Sequence, residues 1–232
     1  MKKQADIDDW QSFKESSAKF RNGPLTAIFT RKLSIRTTYL IRNTSITPNM
    51  VTTASFIIFL GGVPFFVIGY KNYIYMVVGV IITQFSYILD CSDGELARYK
   101  KQISALGAWL DSVFDRLKEG AVFLAMTANV FLKTNDYRYI FVGFFAFINV
   151  IIAGYITDTK INLNLQKTDS IVKIGKNYLI GLVEIIVFGV AFAALFNCFE
   201  YLLLFFCFAG PLMWIYQLIV LVRKSKKIDS SP

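Results

Sequence analysis

The sequence predicts an all-α membrane protein, with six transmembrane helices preceded by an amphipathic helix lying in the membrane interface. Three observations predict it. Hydrophobic residues fill 55% of the 232 positions, Phe alone occurs 22 times, and the mean hydropathy is +0.49. Mostly apolar stretches of about 20 residues recur, the length that carries a helix across a hydrocarbon core of about 30 Å. Lys and Arg are divided unevenly between the connections, as in proteins that insert with a fixed orientation.

Taken in order, residues 1–24 are expected to form a polar cytoplasmic extension. Met1 to Arg21 is charged and has neither the short apolar run nor the small-residue cleavage site of a signal peptide. Asn22-Gly23-Pro24 is a turn signal. Over residues 25–43, Leu25, Ile28, Phe29, Leu33 and Leu40 recur at helical spacing, with Arg31, Lys32, Arg36 and Arg42 interleaved. That pattern predicts the interfacial amphipathic helix. Thr47-Pro48-Asn49 marks a break and a new helix start. Residues 44–223 are assigned to one six-helix domain, with spans at 49–70, 73–97, 105–131, 138–157, 177–197 and 200–222. Residues 224–232 form a basic tail. Six spans put both termini on one side, and that side holds 20 Lys and Arg against three (Lys71, Lys133, Arg138) on the other. The richer side is expected to be cytoplasmic.

Composition also excludes function classes. With no His in the chain, a histidine-ligated zinc site and a histidine general base are both ruled out. Cys91, Cys198 and Cys207 have no metal-ligand spacing. The net charge of +9 fits the flanks of membrane spans better than nucleic-acid binding. Lys160, Lys167, Lys173 and Lys176 are read as orientation charges.

The chemistry concentrates between positions 90 and 119. Asp90, Asp93, Glu95, Asp111, Asp115 and Glu119 all fall in the second and third spans or the turn between them. An intramembrane charge costs several kcal/mol unless paired, hydrated or metal-bound, so these acids are not filler. Asp90 and Asp93 share one helix face, and Asp111 and Asp115 share another. A short basic turn around Arg98–Lys101 makes the two helices antiparallel neighbours whose acidic faces converge. Carboxylates that close repel unless cations intervene. Hard oxygen ligands favour Mg²⁺, Mn²⁺ or Ca²⁺ over zinc. Two such ions about 4 Å apart could clamp a pyrophosphate.

The string Asp90-x2-Asp93-Gly94-x2-Ala97-Arg98-x8-Gly107-x3-Asp111-x3-Asp115 resembles the full signature of the CDP-alcohol phosphotransferase family, with all eight fixed positions in agreement. The resemblance implies a membrane transferase that moves a phosphoalcohol group from a CDP-alcohol to a hydroxyl acceptor and releases CMP, in phospholipid or polyol-phosphate synthesis. It implies Asp90, Asp93 and Asp111 as ligands to Mg²⁺ or Mn²⁺, two ions in number, with Asp115 completing the site and also serving as the base. It assigns Gly94, Ala97, Arg98, Ser104 and Gly107 to the CDP donor, with Asn49 and Thr52 as further candidates. Gly107 serves equally well as a helix-packing glycine, and Arg98 has an alternative role as a cytoplasmic anchor. Lys118 and Glu119 either contact the acceptor or pair with each other or with Arg116. The residues flanking the motif are most similar to the inositol-phosphate-using branch, typified by di-myo-inositol phosphate phosphate synthases. The expected partners are the donor, an alcohol or phosphoalcohol acceptor, the bilayer and a second copy of the chain, with no nucleic acid. The expected location is the cell membrane, with a cytoplasmic active site.

A cation or proton transporter is the rival reading. It would spread its acids through the membrane depth, whereas these cluster at one end.

Overall fold

The structure, a computed structural model, describes residues 10–16, 25–162, 170–174 and 178–229. A short helical segment, 10–16 (α1), precedes a π-helical turn at Thr26–Thr30 that runs into α2, Arg31–Ile41. The long helices follow: α3 (Pro48–Ile68), α4 (Tyr73–Tyr99), α5 (Ala105–Thr134) and α6 (Arg138–Asn162). A two-stranded antiparallel hairpin, β1 (Ser170–Ile174) and β2 (Tyr178–Gly181), leads into α7 (Leu182–Leu195) and α8 (Phe199–Asp229).

Local chemistry sets the helix ends. Thr47 caps α3, its hydroxyl accepting from the Met50 N–H at 3.3 Å, and Pro48 occupies the first turn, where its missing N–H costs nothing. The α4–α5 turn closes with the Gln102 N–H on the Ala97 carbonyl at 2.9 Å and the Lys100 N–H on that of Leu96 at 2.8 Å. It leaves Lys101 at φ 55°, a left-handed position. The Lys100 ammonium donates to the Thr44 and Ile46 carbonyls, both at 2.7 Å, and so ties the α2–α3 connection to the end of α4.

Among the described residues, four helices are long and apolar enough to cross a membrane: Pro48–Ile68, Tyr73–Tyr99, Arg138–Thr159 and Phe199–Arg223. The count of six spans is therefore not established by length and composition. Helix α5 is long enough, but its first half carries Asp111, Asp115, Arg116, Lys118 and Glu119. Helix α7 is apolar but has 14 residues, about 21 Å of rise. The fifth helix expected from residue 177 begins at Leu182 instead, because Tyr178–Gly181 is paired with β1. Lys167 and Lys176 lie outside the described residues, as do most of the N-terminal extension and positions 230–232.

Helix α3 packs against both α4 and α5. Helices α4 and α5, expected from the short turn to be direct neighbours, meet through side chains at the acidic site rather than along their lengths. Helix α6 packs on α5 and α8, and α7 on α4 and α8. At Gly62 and Gly79 the backbones of α3 and α4 come close. A Cβ would fall 2.9 Å from Ile82 at the first and 2.8 Å from Phe66 at the second. The core fills the end of the bundle away from the acids, around Phe66, Met76, Phe123, Met126, Val130 and Phe206.

The segment from Thr26 to Ile41 faces both ways. Leu25, Phe29, Leu33 and Leu40 are exposed, whereas Thr26, Thr30, Ser34 and Thr38, spaced four apart, are buried. A helix that turns hydroxyls inward and Leu and Phe outward has its apolar face toward the surroundings.

Candidate active site

Helices α3, α4 and α5 bring the carboxylates together. Asp90 and Asp93, one helical turn apart on α4, meet Asp111 from the first turns of α5, and one oxygen of each lies within 4.8 Å of the other two. Asp93 is buried, and its Oδ2 has no hydrogen-bond partner. A buried carboxylate oxygen without a donor is costly in a folded protein and is what a hard divalent cation takes as a ligand. The residues present thus fit such an ion. Asp115 follows Asp111 by one turn, and its Oδ1 is 3.7 Å from the Lys118 Nζ. The Lys118 ammonium is hydrogen-bonded to Asp90 Oδ1. Asp90 is also held by the fully buried Ser55 of α3, whose hydroxyl reaches Oδ1 at 3.2 Å.

The nucleotide-side candidates form a second group. The Ser104 hydroxyl caps α5 and accepts from the Gly107 N–H at 3.0 Å. A Cβ on Gly107 would lie 3.0 Å from the Asn49 Oδ1 and 3.2 Å from the Ser104 Oγ. Asn49, Ser104 and Gly107, far apart in sequence, therefore share one spot. Thr52 is buried one turn along α3 and donates to the Pro48 carbonyl at 3.1 Å. Gly94 leaves space that Arg98 fills: a Cβ there would be 3.3 Å from the Arg98 Nη1. Ala97 lies between them in sequence, on the same last turns of α4.

Glu119 is paired with Arg116, whose Nη1 donates to Oε2 at 2.7 Å, while its other oxygen is buried without a partner. Gly154 of α6 admits the Arg116 guanidinium, which a Cβ at that position would strike. From the acids a small cavity of about 50 Å³ runs into the bundle. Asp90, Asp115, Lys118 and Glu119 line one end, and Phe66 and Val190 line the depth.

Sequence reasoning noted Glu95 and gave it no role. It is fully buried and accepts from Ser34 at 2.6 Å and Thr38 at 2.8 Å, and Arg31 pairs with it at 2.6 Å. It therefore fixes α2 against the motif. The four-residue spacing of Thr26, Thr30, Ser34 and Thr38 was the signal that could have found this contact. Glu184 of α7 accepts the Thr26 N–H at 2.6 Å, and the Thr26 hydroxyl bonds Tyr87 at 2.9 Å.

The profile of the CDP-alcohol phosphatidyltransferase family matches residues 45–222. The chain belongs to that family. Family members with 30% and 32% identity over 128 and 139 residues are the bifunctional IPC transferase and DIPP synthases of Thermococcus kodakarensis and Archaeoglobus fulgidus. The matches take in 55% and 59% of this chain but 27% and 25% of those proteins, so the chain spans about a quarter of the length of these curated relatives. Among solved structures, the phosphatidylinositol phosphate synthase of Mycobacterium tuberculosis with CDP-DAG bound superposes with a TM-score of 0.65. That match has 17% identity and covers 82% of this chain and 93% of the other. The same enzyme in complex with manganese and citrate gives 0.63 at 16% identity, covering 81% and 88%. At these identities the likeness shows the family fold.

Proposed function

We propose that this protein is a metal-dependent CDP-alcohol phosphotransferase of the membrane. In this reading it transfers a phosphoalcohol group to a hydroxyl acceptor and releases CMP. The observation that carries the reading is the meeting of Asp90, Asp93 and Asp111 oxygens within 4.8 Å, inside an intact family signature. Asp90, Asp93 and Asp111 hold Mg²⁺ or Mn²⁺, and Asp115 completes the set for a second ion. When bound, the metal neutralises charge on the departing CMP oxygen. Asp115 takes the proton from the acceptor hydroxyl as that oxygen bonds to the β-phosphorus and the phosphorus–CMP bond breaks. Arg98 grips donor phosphate with two parallel N–H groups. Asn49, Thr52, Gly94, Ala97, Ser104 and Gly107 shape the cytidine side. Glu119, with an unpartnered oxygen in the cavity beside Asp115, is the acceptor contact, and Lys118 stands next to it.

The inositol-phosphate-using branch is supported by the DIPP synthase relatives and by the flanking text Leu89–Arg98. Helices α3 to α8 make six spans in this reading, α2 lies in the cytoplasmic interface of the cell membrane, and the chain assembles as a homodimer. The test is CMP release by purified protein in detergent with Mg²⁺ or Mn²⁺, across CDP-alcohols and acceptors that include inositol phosphates. Turnover should vanish in EDTA and return with metal, and full turnover after verified metal removal would refute the reading. Labelling of a cysteine placed at Arg36 from outside intact cells would refute the orientation.

A further inference from the structure

We infer that α1 is a strap on the donor side of the site, in which Phe13 fixes the last turn of α4 and so positions Arg98 for the donor phosphate. Such a role rests on the phosphotransferase reading above, which assigns Arg98 to the donor. Trp10 and Phe13, one helical turn apart, share a face of 10–16, while positions 11, 12 and 14–16 are exposed. An aromatic pair on a short segment beside a bilayer ordinarily goes to the lipid interface. Here Phe13 is 1% exposed, and what covers it is protein. Its ring lies 5.3 Å from that of Tyr39 on α2 and 5.1 Å from that of Tyr99 at the end of α4, edge-on to both. Trp10 closes on Tyr39 at 4.8 Å. The Arg42 guanidinium sits 3.4 Å from the Tyr39 ring centre and donates to the Tyr39 carbonyl at 2.7 Å.

This wedge bears on the donor through the helix end. The last turn of a helix has carbonyls without intrahelical partners and frays unless something outside holds it. Arg98 and Tyr99 are the last two residues of α4, and the turn that follows leaves Lys101 at φ 55°. Lys100 ties the turn to the Thr44 and Ile46 carbonyls, and Glu95, one turn before Tyr99, is held by α2. Phe13 reaches Tyr99 itself. A guanidinium that meets phosphate with two parallel N–H groups needs its backbone in one place, and a loosened last turn spreads it over several. Asp90 and Asp93 lie deeper in α4, and Asp111 and Asp115 stand on α5. Phe13 is thus a positioning residue for the donor, acting through Tyr99 on Arg98, and leaves the metal ligands as they are. Coupling of this kind is reciprocal: a seated α1 favours the donor, and the donor favours a seated α1 by the same factor.

The experiment uses the purified chain in detergent, with Mn²⁺ and with CDP as a non-transferable donor fragment. In the wild type, hydrogen exchange at the 10–16 amides, followed by mass spectrometry with Mn²⁺ in both samples, should slow severalfold on adding CDP. Phe13→Ala should bind CDP about tenfold more weakly, with its Mn²⁺ affinity in the absence of CDP unchanged. Phe13→Leu, which refills the slot, should restore most of the loss. Gln11→Ala, at an exposed position of the same segment, should match the wild type. Exchange at 10–16 that bound CDP does not alter overturns the inference, and so does a folded Phe13→Ala with wild-type CDP affinity. An equal loss of Mn²⁺ and CDP affinity in Phe13→Ala also overturns it, because Phe13 would then hold up the whole site and not its donor side. Each of these outcomes leaves the phosphotransferase reading standing. A wild type that binds no CDP in the presence of Mn²⁺ overturns that reading and the strap with it. The exchange measurement on the wild type decides the matter if Phe13→Ala fails to fold.

Discussion

The two ends of α3, α4 and α5 are built on opposite principles. At one end Thr52, Ser55, Asp90, Asp93, Asp111, Asp115 and Lys118 crowd together, and every one of these side chains is polar or ionisable. At the other end Phe66, Met76, Phe123, Met126 and Val130 interdigitate with Phe199 and Leu203, and Asn129 is the local polar exception, its amide on the Phe66 carbonyl at 2.8 Å. The stacked pair Phe56 and Phe114, with ring centroids 4.3 Å apart, lies toward the acidic end and joins α3 to α5 there. The difference teaches a division of labour. Carboxylates gathered on two helices push those helices apart, so the apolar end and the aromatic stack must hold the spacing that the acidic end uses. A helix pair of uniform composition could not both grip and hold a charged site open.

Three substitutions break this comparison, and two more sharpen it. The largest effect is expected at the acidic end. Asp115→Asn should lower turnover by about a hundredfold or more, the usual size for a lost general base, while donor binding persists. Asp90→Asn should instead weaken metal binding, so that raising Mg²⁺ recovers part of its activity. Metal titrations of donor binding and turnover for both variants check the contrast. If excess metal restores Asp115→Asn, then Asp115 is a ligand and another group is the base. At the apolar end the sign reverses. Phe123→Ala, at a fully buried position, should cost about 2 kcal/mol of stability, below the soluble-protein range because lipid removes much of the transfer term. Its turnover per folded molecule should stay near that of the wild type. Thermal unfolding in detergent, set beside CMP release at low temperature, measures both.

Smaller effects are expected where α2 meets α4. Glu95→Gln keeps only one of the two oxygens that accept from Ser34 and Thr38 and removes the negative charge that faces Arg31. The cost should be about 1–2 kcal/mol, read as a lowered melting temperature and faster proteolysis between α2 and α3. Arg98→Lys should be the mildest. Replacing a two-pronged contact by a point charge should raise the donor KM by about tenfold with the fold intact. An unchanged donor KM would remove Arg98 from the donor site.

Much of the site was legible in the sequence because the motif encodes its own geometry. Spacings of three and four put Asp90 with Asp93 and Asp111 with Asp115, whereas the packing of both helices on α3 rather than on each other could not be read from the short turn after Arg98. Thr47-Pro48 announced the start of α3 by capping chemistry alone. What the sequence withheld was which neighbour each face meets. Periodicity shows that Ser34 and Thr38 share a side. It does not say that Glu95, 61 and 57 residues away, stands opposite. The same gap left Lys118 divided between acceptor, Glu119 and Arg116, when its ammonium in fact reaches back 28 residues to Asp90. Helix α7 was misplaced at its start because Tyr178–Gly181 is apolar enough to continue a span, and only the pairing with β1 ends it.

The hydroxyl row from Thr26 to Thr38 carries a consequence for how the protein behaves when it is extracted. Detergent and lipid tails compete for apolar contacts, so a helix stuck down by Leu and Phe is easily peeled away by either. They offer nothing to a Ser34 or Thr38 hydroxyl or to the Arg31 guanidinium. The attachment through Glu95 should therefore survive exchange from one amphiphile to another, and it tightens as its surroundings become drier. Water is the solvent that dissolves it, so harsh delipidation that wets the α2–α4 contact is the treatment under which this helix comes loose first.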